Sequence, residues 1–380
     1  MRICVCTVVH HAEDARILHR QIRVLLDAGH DVTYLAPFSS GDVTPWAGLT
    51  AVDLPRAGGV HRLRALRAAR RALAEHAPQA DLLLVHDPEL LATLPFVRRR
   101  PPTVWDVHED AVASLVSKTW LPRPLRFLLR PFVRAAELYA ERRVHLILAE
   151  EGYRPRFRGS HPVVPNTTFV PSEPPPPAGD DRVVYLGHLS AARGAAELLE
   201  VARLLAPEGI KVELIGGADP QTAAKLREAN RADLIRWHGY RSNDTALGIV
   251  EGALAGLSLL HDMPNYRHSV PTKMIEYMAR GIPVVTTPLP AAVDIVNQSG
   301  AGLIVPYLDP EAAATAILNL RDDPALRAEM ASQGHLTARL HFHWPDQGKL
   351  FVSHLEEWAG IGAAPAVTGP PVTVSQDRVT

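Results

Sequence analysis

Apolar positions along the chain fall into two alternating kinds of run. Short aliphatic or β-branched runs suited to buried strands stand at 32–36, 82–86, 104–107 and 146–148. Between them lie helix-length segments such as 17–28, with apolar residues at helical spacing. This alternation predicts a parallel sheet covered by helices on both faces, since parallel neighbours need a crossover and a helix supplies it. The opening stretch 1–9 reads as the first strand: it is short and β-rich, without the cleavage site that follows a signal peptide's apolar segment.

The pattern then restarts. Beyond a proline-rich stretch at 171–181, the runs 183–186, 212–215, 257–260, 284–286 and 303–305 again alternate with helices. Prolines favour extended geometry and cannot enter a sheet interior, so the stretch reads as a semi-rigid linker. The expected organisation is a Rossmann-like domain over 1–170, the linker 171–181 and a second Rossmann-like domain over 182–343. A helix at 344–359 is expected to pack back on the first domain, ahead of a disordered tail at 360–380 built of small and proline residues.

Composition narrows the function classes. With 380 residues and 47% hydrophobic content the chain can bury two cores. A formal net charge of −1 argues against a general nucleic-acid binder, which needs a basic surface. No uncharged apolar stretch reaches spanning length, so a cytoplasmic chain with at most peripheral contact at the inner face of the membrane is expected. Cys4 and Cys6 share one face of the first strand and read as reduced, buried thiols.

Candidate chemistry concentrates in the second half. In Tyr266-Arg267-His268-Ser269-Val270-Pro271-Thr272-Lys273, Ser269 is placed to cap a helix with Pro271 in its first turn, and Gly281 ends that helix. Amides at such a start suit phosphate, Lys273 adds a cation, and Glu276 one turn on suits ribose hydroxyls. The plainer reading is a capped surface helix with one ion pair. Tyr185 to Gly194 is a strand breaking into a glycine-punctuated loop, where Gly187 permits close backbone approach and Arg193 offers a fixed charge. It also reads as an ordinary strand-to-helix connection. No Gly-x-Gly-x-x-Gly follows the first strand, which disfavours a dinucleotide dehydrogenase. Neither an Asp-x-Asp pair nor zinc-type spacing occurs in this region, so no metal is expected.

In these residues the chain resembles family 4 of the retaining glycosyltransferases, of GT-B architecture: two facing Rossmann-like doubly wound domains with an interdomain cleft. The match is closest to a subgroup whose helix starts Pro-x-Lys. The resemblance implies that Gly187, Gly217 and Arg193 meet the donor pyrophosphate, and that Val270, Pro271, Thr272, Lys273 and Glu276 bind phosphate and ribose. By the same resemblance the backbone at Tyr240 and Arg241 reads the base. His268 stands where the family has a glutamate, and His188 where it has an arginine.

In the first half the resemblance rests on His10, Asp14 and Arg16, with Ala28-Gly29-His30 following, and implies that this loop meets substrate. It lacks the glycine pair of many relatives. It also puts His108 at the family's reacting centre, beside Glu109. Asp87, before Pro88, reads as a helix cap. The implied reaction moves a sugar from a nucleotide-diphosphate sugar, a co-substrate rather than a cofactor, to a glycan, lipid-linked or small-molecule hydroxyl. Retention comes from the resemblance alone, and His108, Arg193 and Lys273 act as catalytic groups once the two domains close. A nucleotide-sugar 2-epimerase and a degenerate nucleotide-sugar binder stay open as alternatives. Residues 118–134 mix aromatics with arginines and suit either anionic lipid headgroups or an ordinary helix face with snorkelling arginines, prolines being expected to interrupt any long helix.

Overall fold

The computed structural model describes residues 1–108, 111–112, 123–173, 176–177, 179–267 and 269–361. Contacts divide the chain into two compact units, Met1–Asn166 with the stretch that begins at Trp344, and Thr167–His343. The division falls four residues before the boundary expected after 170. Its cause is local: the amide of Thr168 donates to the carbonyl of Phe342, and Val170 N to His343 Nδ1.

The first unit holds a six-stranded parallel sheet, β1 (Arg2–Cys6), β2 (Asp31–Ala36), β3 (Leu49–Asp53), β4 (Leu82–Val85), β5 (Thr103–Val107) and β6 (His145–Leu148), in the order β3-β2-β1-β4-β5-β6. Every residue of β4 and β5 is buried, as continuous apolar runs require when helices cover both faces. Cys4 and Cys6 pack with Leu83, Val85 and Trp105 in one core and form no disulfide. The segment expected as one helix at 17–28 opens with a π-helical turn, Ile17–Ile22, and passes into the α-helix Arg23–Asp27. The helix Trp344–Trp358 packs on both pieces, with Trp344, Phe351 and Leu355 fully buried. Trp358 stacks on His145 at 4.6 Å.

The helix Arg123–Glu141 runs through Pro131, where an interruption was expected. Pro131 removes one helical donor, but it lies on the exposed side, where water takes the orphaned carbonyl.

The second unit repeats the plan with β7 (Arg182–Leu186), β8 (Lys211–Ile215), β9 (Ile235–Gly239), β10 (Ala255–Ser258), β11 (Val284–Thr286) and β12 (Gly302–Ile304), in the order β12-β11-β10-β7-β8-β9, all parallel. In each unit the first strand lies inside the sheet and the chain reverses its winding beside it. The loops after β1 and β7 therefore leave at the carboxyl edge, where open α/β sheets bind ligands. No described helix is long and apolar enough to cross a membrane.

Candidate functional site

The loop after β7 is shaped by glycine. Gly187 has φ +125, and Gly216, after β8, has φ +144; a Cβ on Gly216 would lie 1.9 Å from the Gly187 carbonyl oxygen. The two backbones touch, and only glycine admits that approach. Gly194, at φ +81, packs against the carbonyl of Leu259 and starts the helix Ala195–Leu205.

Into this loop the helix Thr272–Met278 sends Lys273. The helix is seated by Tyr277, whose ring fills the space over Gly256 and whose hydroxyl accepts from Leu186 N at 2.7 Å and donates to Leu257 O at 3.3 Å. Ser269 does not cap it: Pro271 occupies the N-cap position and Ser269 Oγ donates to the carbonyl of Asn265. Pro271 fixes the entry with its locked φ, and two residues, Val270 and Pro271, separate Ser269 from the first helical residue, Thr272.

Lys273 and Arg193 converge. A Cβ placed on Gly187 would sit 3.7 Å from Lys273 Nζ and 3.8 Å from an Arg193 terminal nitrogen. Tyr185 lies between them: Lys273 Nζ is 3.3 Å from its hydroxyl and 4.4 Å above its ring. The Arg193 guanidinium faces the hydroxyls of Tyr185 and Tyr266, which favour its charged form. Among the described residues no carboxylate is within ion-pair distance of Lys273 or Arg193. Burial first, and the neighbouring Arg193 charge second, pull the Lys273 ammonium down to about 7, Glu276 opposing them. A buried lysine and a half-buried arginine with no ion-paired carboxylate form a place that favours an anion.

The other expected donor residues surround this pair. Glu276 is buried and within electrostatic reach of Lys273 and Arg280. Val270, Pro271 and Thr272 are half-buried at the helix start, and Gly217 lies after β8 beside His188. Tyr240 and Arg241 are exposed after β9. His268 lies outside the described residues, as does Glu109. Tyr185, inside β7, and Tyr266, in a turn, are contributors without a sequence signal, since nothing in a tyrosine's local pattern says that its hydroxyl serves a neighbouring loop.

The first unit gathers a second cluster. Asp106, fully buried at the end of β5, receives two 2.7 Å hydrogen bonds from Arg16 and one of 3.0 Å from Gln21. Although burial pushes its carboxyl up, the Arg16 charge and hydrogen bonds from Arg16, His108 and His86 hold it well below the usual range. His108 Nδ1 lies 3.2 Å from the Asp106 carbonyl, and its Nε2 lies 2.8 Å from His10 Nε2. His10 in turn faces Asp87 at 3.4 Å and Asp14 at 3.7 Å. Burial alone would raise the Asp14 carboxyl, but the hydrogen bond and charge of His10 hold it far below its ordinary value.

Two assignments change in this light. Arg16, expected to meet substrate, is buried with Nε and one terminal nitrogen on Asp106 and the carbonyl of Val164, so it braces β5, while its other terminal nitrogen, Nη1, has no partner among the described residues. Asp87 places no side-chain bond on the helical turn it precedes. Its carboxylate instead accepts from Thr7 Oγ1 and from the amides of Val8 and Val9, tying down the loop that carries His10. His86, Asp106 and His108 have ligand atoms within 4.8 Å of one another. A cation there would meet the Arg16 guanidinium already on both Asp106 oxygens.

Comparison with known proteins agrees with this geometry. The family described as Glycosyl transferases group 1 matches residues 180–323, and the family described as Glycosyl transferase 4-like domain matches residues 15–140. A phosphatidyl-myo-inositol mannosyltransferase of Mycolicibacterium smegmatis is 26% identical over 91% of this chain and 90% of its own. Among solved structures, sucrose-phosphate synthase from Thermosynechococcus elongatus superposes with a TM-score of 0.71 at 19% identity, over 94% of this chain and 98% of that one. HepE from Anabaena in complex with UDP-glucose superposes with a TM-score of 0.68 at 14% identity, over 94% of this chain and all of that one.

Proposed function

Since the chain belongs to the family 4 type of glycosyltransferase, matched in both halves and built on the GT-B fold, we propose that it takes its sugar from a nucleotide-diphosphate donor. The acceptor is a hydroxyl, transfer retains configuration, and no metal takes part. One observation carries the reading: Lys273 and Arg193 meet at Gly187 with no carboxylate between them. A diphosphate leaving group brings the missing negative charge, and Arg193, joined by Lys273 once binding protonates it, stabilises the charge that grows as the glycosidic bond breaks. A metal at that point would be repelled by them.

Glu276 beside this pair accepts from ribose hydroxyls, and Tyr240 and Arg241 present backbone to the base. In the first unit His108 positions the acceptor hydroxyl, with its Nδ1 anchored on Asp106. Among acceptors the lipid-linked class is favoured, since the mannosyltransferase relative is named for a phospholipid substrate. The proposed place of action is the cytoplasm, at the inner face of the membrane.

Thermal unfolding with UDP, GDP, ADP, TDP or CDP, with and without chelator, tests the donor reading. One nucleotide is expected to raise the midpoint, because it binds the folded state alone, and chelator should leave the shift unchanged. No shift from any of the five would overturn it.

A further inference from the structure

Three adjacent strands deliver histidines to one edge of the first unit's sheet. His10 follows β1, His86 follows β4 and His108 follows β5, strands that lie side by side in the order β1-β4-β5. The His108 ring is 4.5 Å from that of His10 and 5.7 Å from that of His86. Carboxylates stand behind the rings: Asp14 and Asp87 face His10, and Asp106 faces His86 and His108. Asp87 and Asp106 are sealed from solvent, whereas the side chains of His10 and His108 keep 15% and 12% of their surface exposed. The two rings form the accessible lip of a cluster that is otherwise buried.

The neighbours of this pair fix the number of its protons. His108 Nδ1 faces two acceptors, the Asp106 carbonyl at 3.2 Å and the Asp106 carboxylate at 3.4 Å, so it carries a proton. His10 Nδ1 faces the Asp14 carboxylate at 3.7 Å, which favours N–H over a bare lone pair. Between the two Nε2 atoms, 2.8 Å apart, two lone pairs or two N–H groups would repel, and a single proton makes a hydrogen bond. Asp87 Oδ1, 3.4 Å from His10 Nε2, favours leaving that proton on His10. Three of the four ring nitrogens then hold a proton, and the pair carries a single positive charge. The surrounding charges fit this state. Arg16 already neutralises Asp106, and burial, opposed by Asp106, holds the His86 ring below its ordinary value and so neutral. Asp14 and Asp87 are left to balance the pair.

We propose that His10 and His108 bind the acceptor oxygen as one unit with a shared proton, a proposal that rests on the transferase reading above. In the structure the His10 Nε2–H meets the His108 Nε2 lone pair. An incoming hydroxyl takes the place of that direct bond, accepting from His10 and donating to His108. The site thus reads both hydrogen-bonding roles of the oxygen. An ammonium group only donates, so it meets the His10 N–H as a clash of like groups, and the acceptor is an alcohol rather than an amine. His10 touches substrate beside His108, and Asp14 is the positioning residue that keeps the His10 proton in place.

Long-range proton–nitrogen correlation spectra of the full chain, labelled at the histidine ring nitrogens, test the shared proton without any substrate. Assigned through His10→Gln and His108→Gln, the pair is expected to show three protonated nitrogens and one acceptor at neutral pH. A pair with two protonated nitrogens overturns the proposal. Hydrolysis of UDP-, GDP-, ADP-, TDP- or CDP-glucose then uses water as the acceptor hydroxyl. His10→Gln keeps an N–H toward His108 and should retain most of kcat, whereas His10→Leu should lose about 100-fold with the KM for the donor unchanged. Asp14→Asn still accepts from the amides of Arg16 and Ile17, and should lose the third proton and most of the rate. An unaltered rate in His10→Leu, or equal losses in His10→Gln and His10→Leu, overturns the role of His10. Hydrolysis without a shared proton sinks the pair alone; a shared proton with no hydrolysis of any of the five donors sinks the transferase reading and the acceptor role with it.

Discussion

Lys273 shows how a binding group opposes the fold that holds it. Burial and Arg193 pull its ammonium from 10.5 to about 7. Between those values the native unit binds fewer protons than the unfolded chain, so this group's contribution rises with pH from 7 toward 10.5 and its cost is complete below 7. Lys273→Met is therefore expected to raise the unfolding midpoint of the second unit at neutral pH, by about 2–4 °C for each kcal/mol recovered. The gain should shrink toward pH 10.5, and nucleotide binding should be lost. Differential scanning calorimetry across that range checks it; a lower midpoint would mean that Lys273 is a structural cation. Asp106 has the opposite sign. Arg16 holds its carboxyl well below 3.8, so its contribution is full above that value and drains as pH falls beneath it. Asp106→Asn leaves Arg16 buried without its anion and is expected to cost about 3–5 kcal/mol in denaturant unfolding of the first unit, with most of the acid sensitivity gone. None of this pairing could be read from the chain, since Arg16 and Asp106 stand 90 residues apart.

At the scale of elements, legibility followed burial. Central strands such as β4, β7 and β11 announce themselves as unbroken apolar runs, because helices cover both of their faces. Two of the four edge strands, β3 and β9, passed unnoticed, while the edge strands β6 and β12 show as the short apolar runs 146–148 and 303–305. Each of the unnoticed two has one strand partner and a half-exposed face, so Leu49–Asp53 and Ile235–Gly239 carry polar residues among the apolar ones. The π-helical turn at Ile17–Ile22 has no local signal, and the run through Pro131 contradicts one. Two elements invite direct tests. Gly216→Ala puts a Cβ against the Gly187 carbonyl at a φ that alanine rarely adopts, and should cost about 3 kcal/mol, measured by denaturant unfolding, while weakening nucleotide binding. Trp344→Ala empties a fully buried site where the last helix meets the first unit, and should cost about 3–5 kcal/mol there with the second unit's nucleotide response intact.

Across the whole molecule, the doubling of the sheet pattern and the proline-rich break between its halves were plain in the sequence, and they lead directly to GT-B. The donor side was legible because its residues are local: Gly187 and Arg193 lie six positions apart, and Pro271, Lys273 and Glu276 lie within one short stretch. The first unit was not, since His10, Asp87, Asp106 and His108 come together only through β1, β4 and β5. The central claim is that Lys273 and Arg193 form the diphosphate site, and calorimetric titration of the selected nucleoside diphosphate at pH 8 tests it most directly. In buffers of different ionisation enthalpy, the free protein holds Lys273 largely neutral and the diphosphate, with a second pKa of about 6, is fully ionised. Binding is then expected to take up close to one proton, an uptake absent from Lys273→Met together with most of the affinity. Tight binding without proton uptake, or undiminished in Lys273→Met, would place the diphosphate elsewhere.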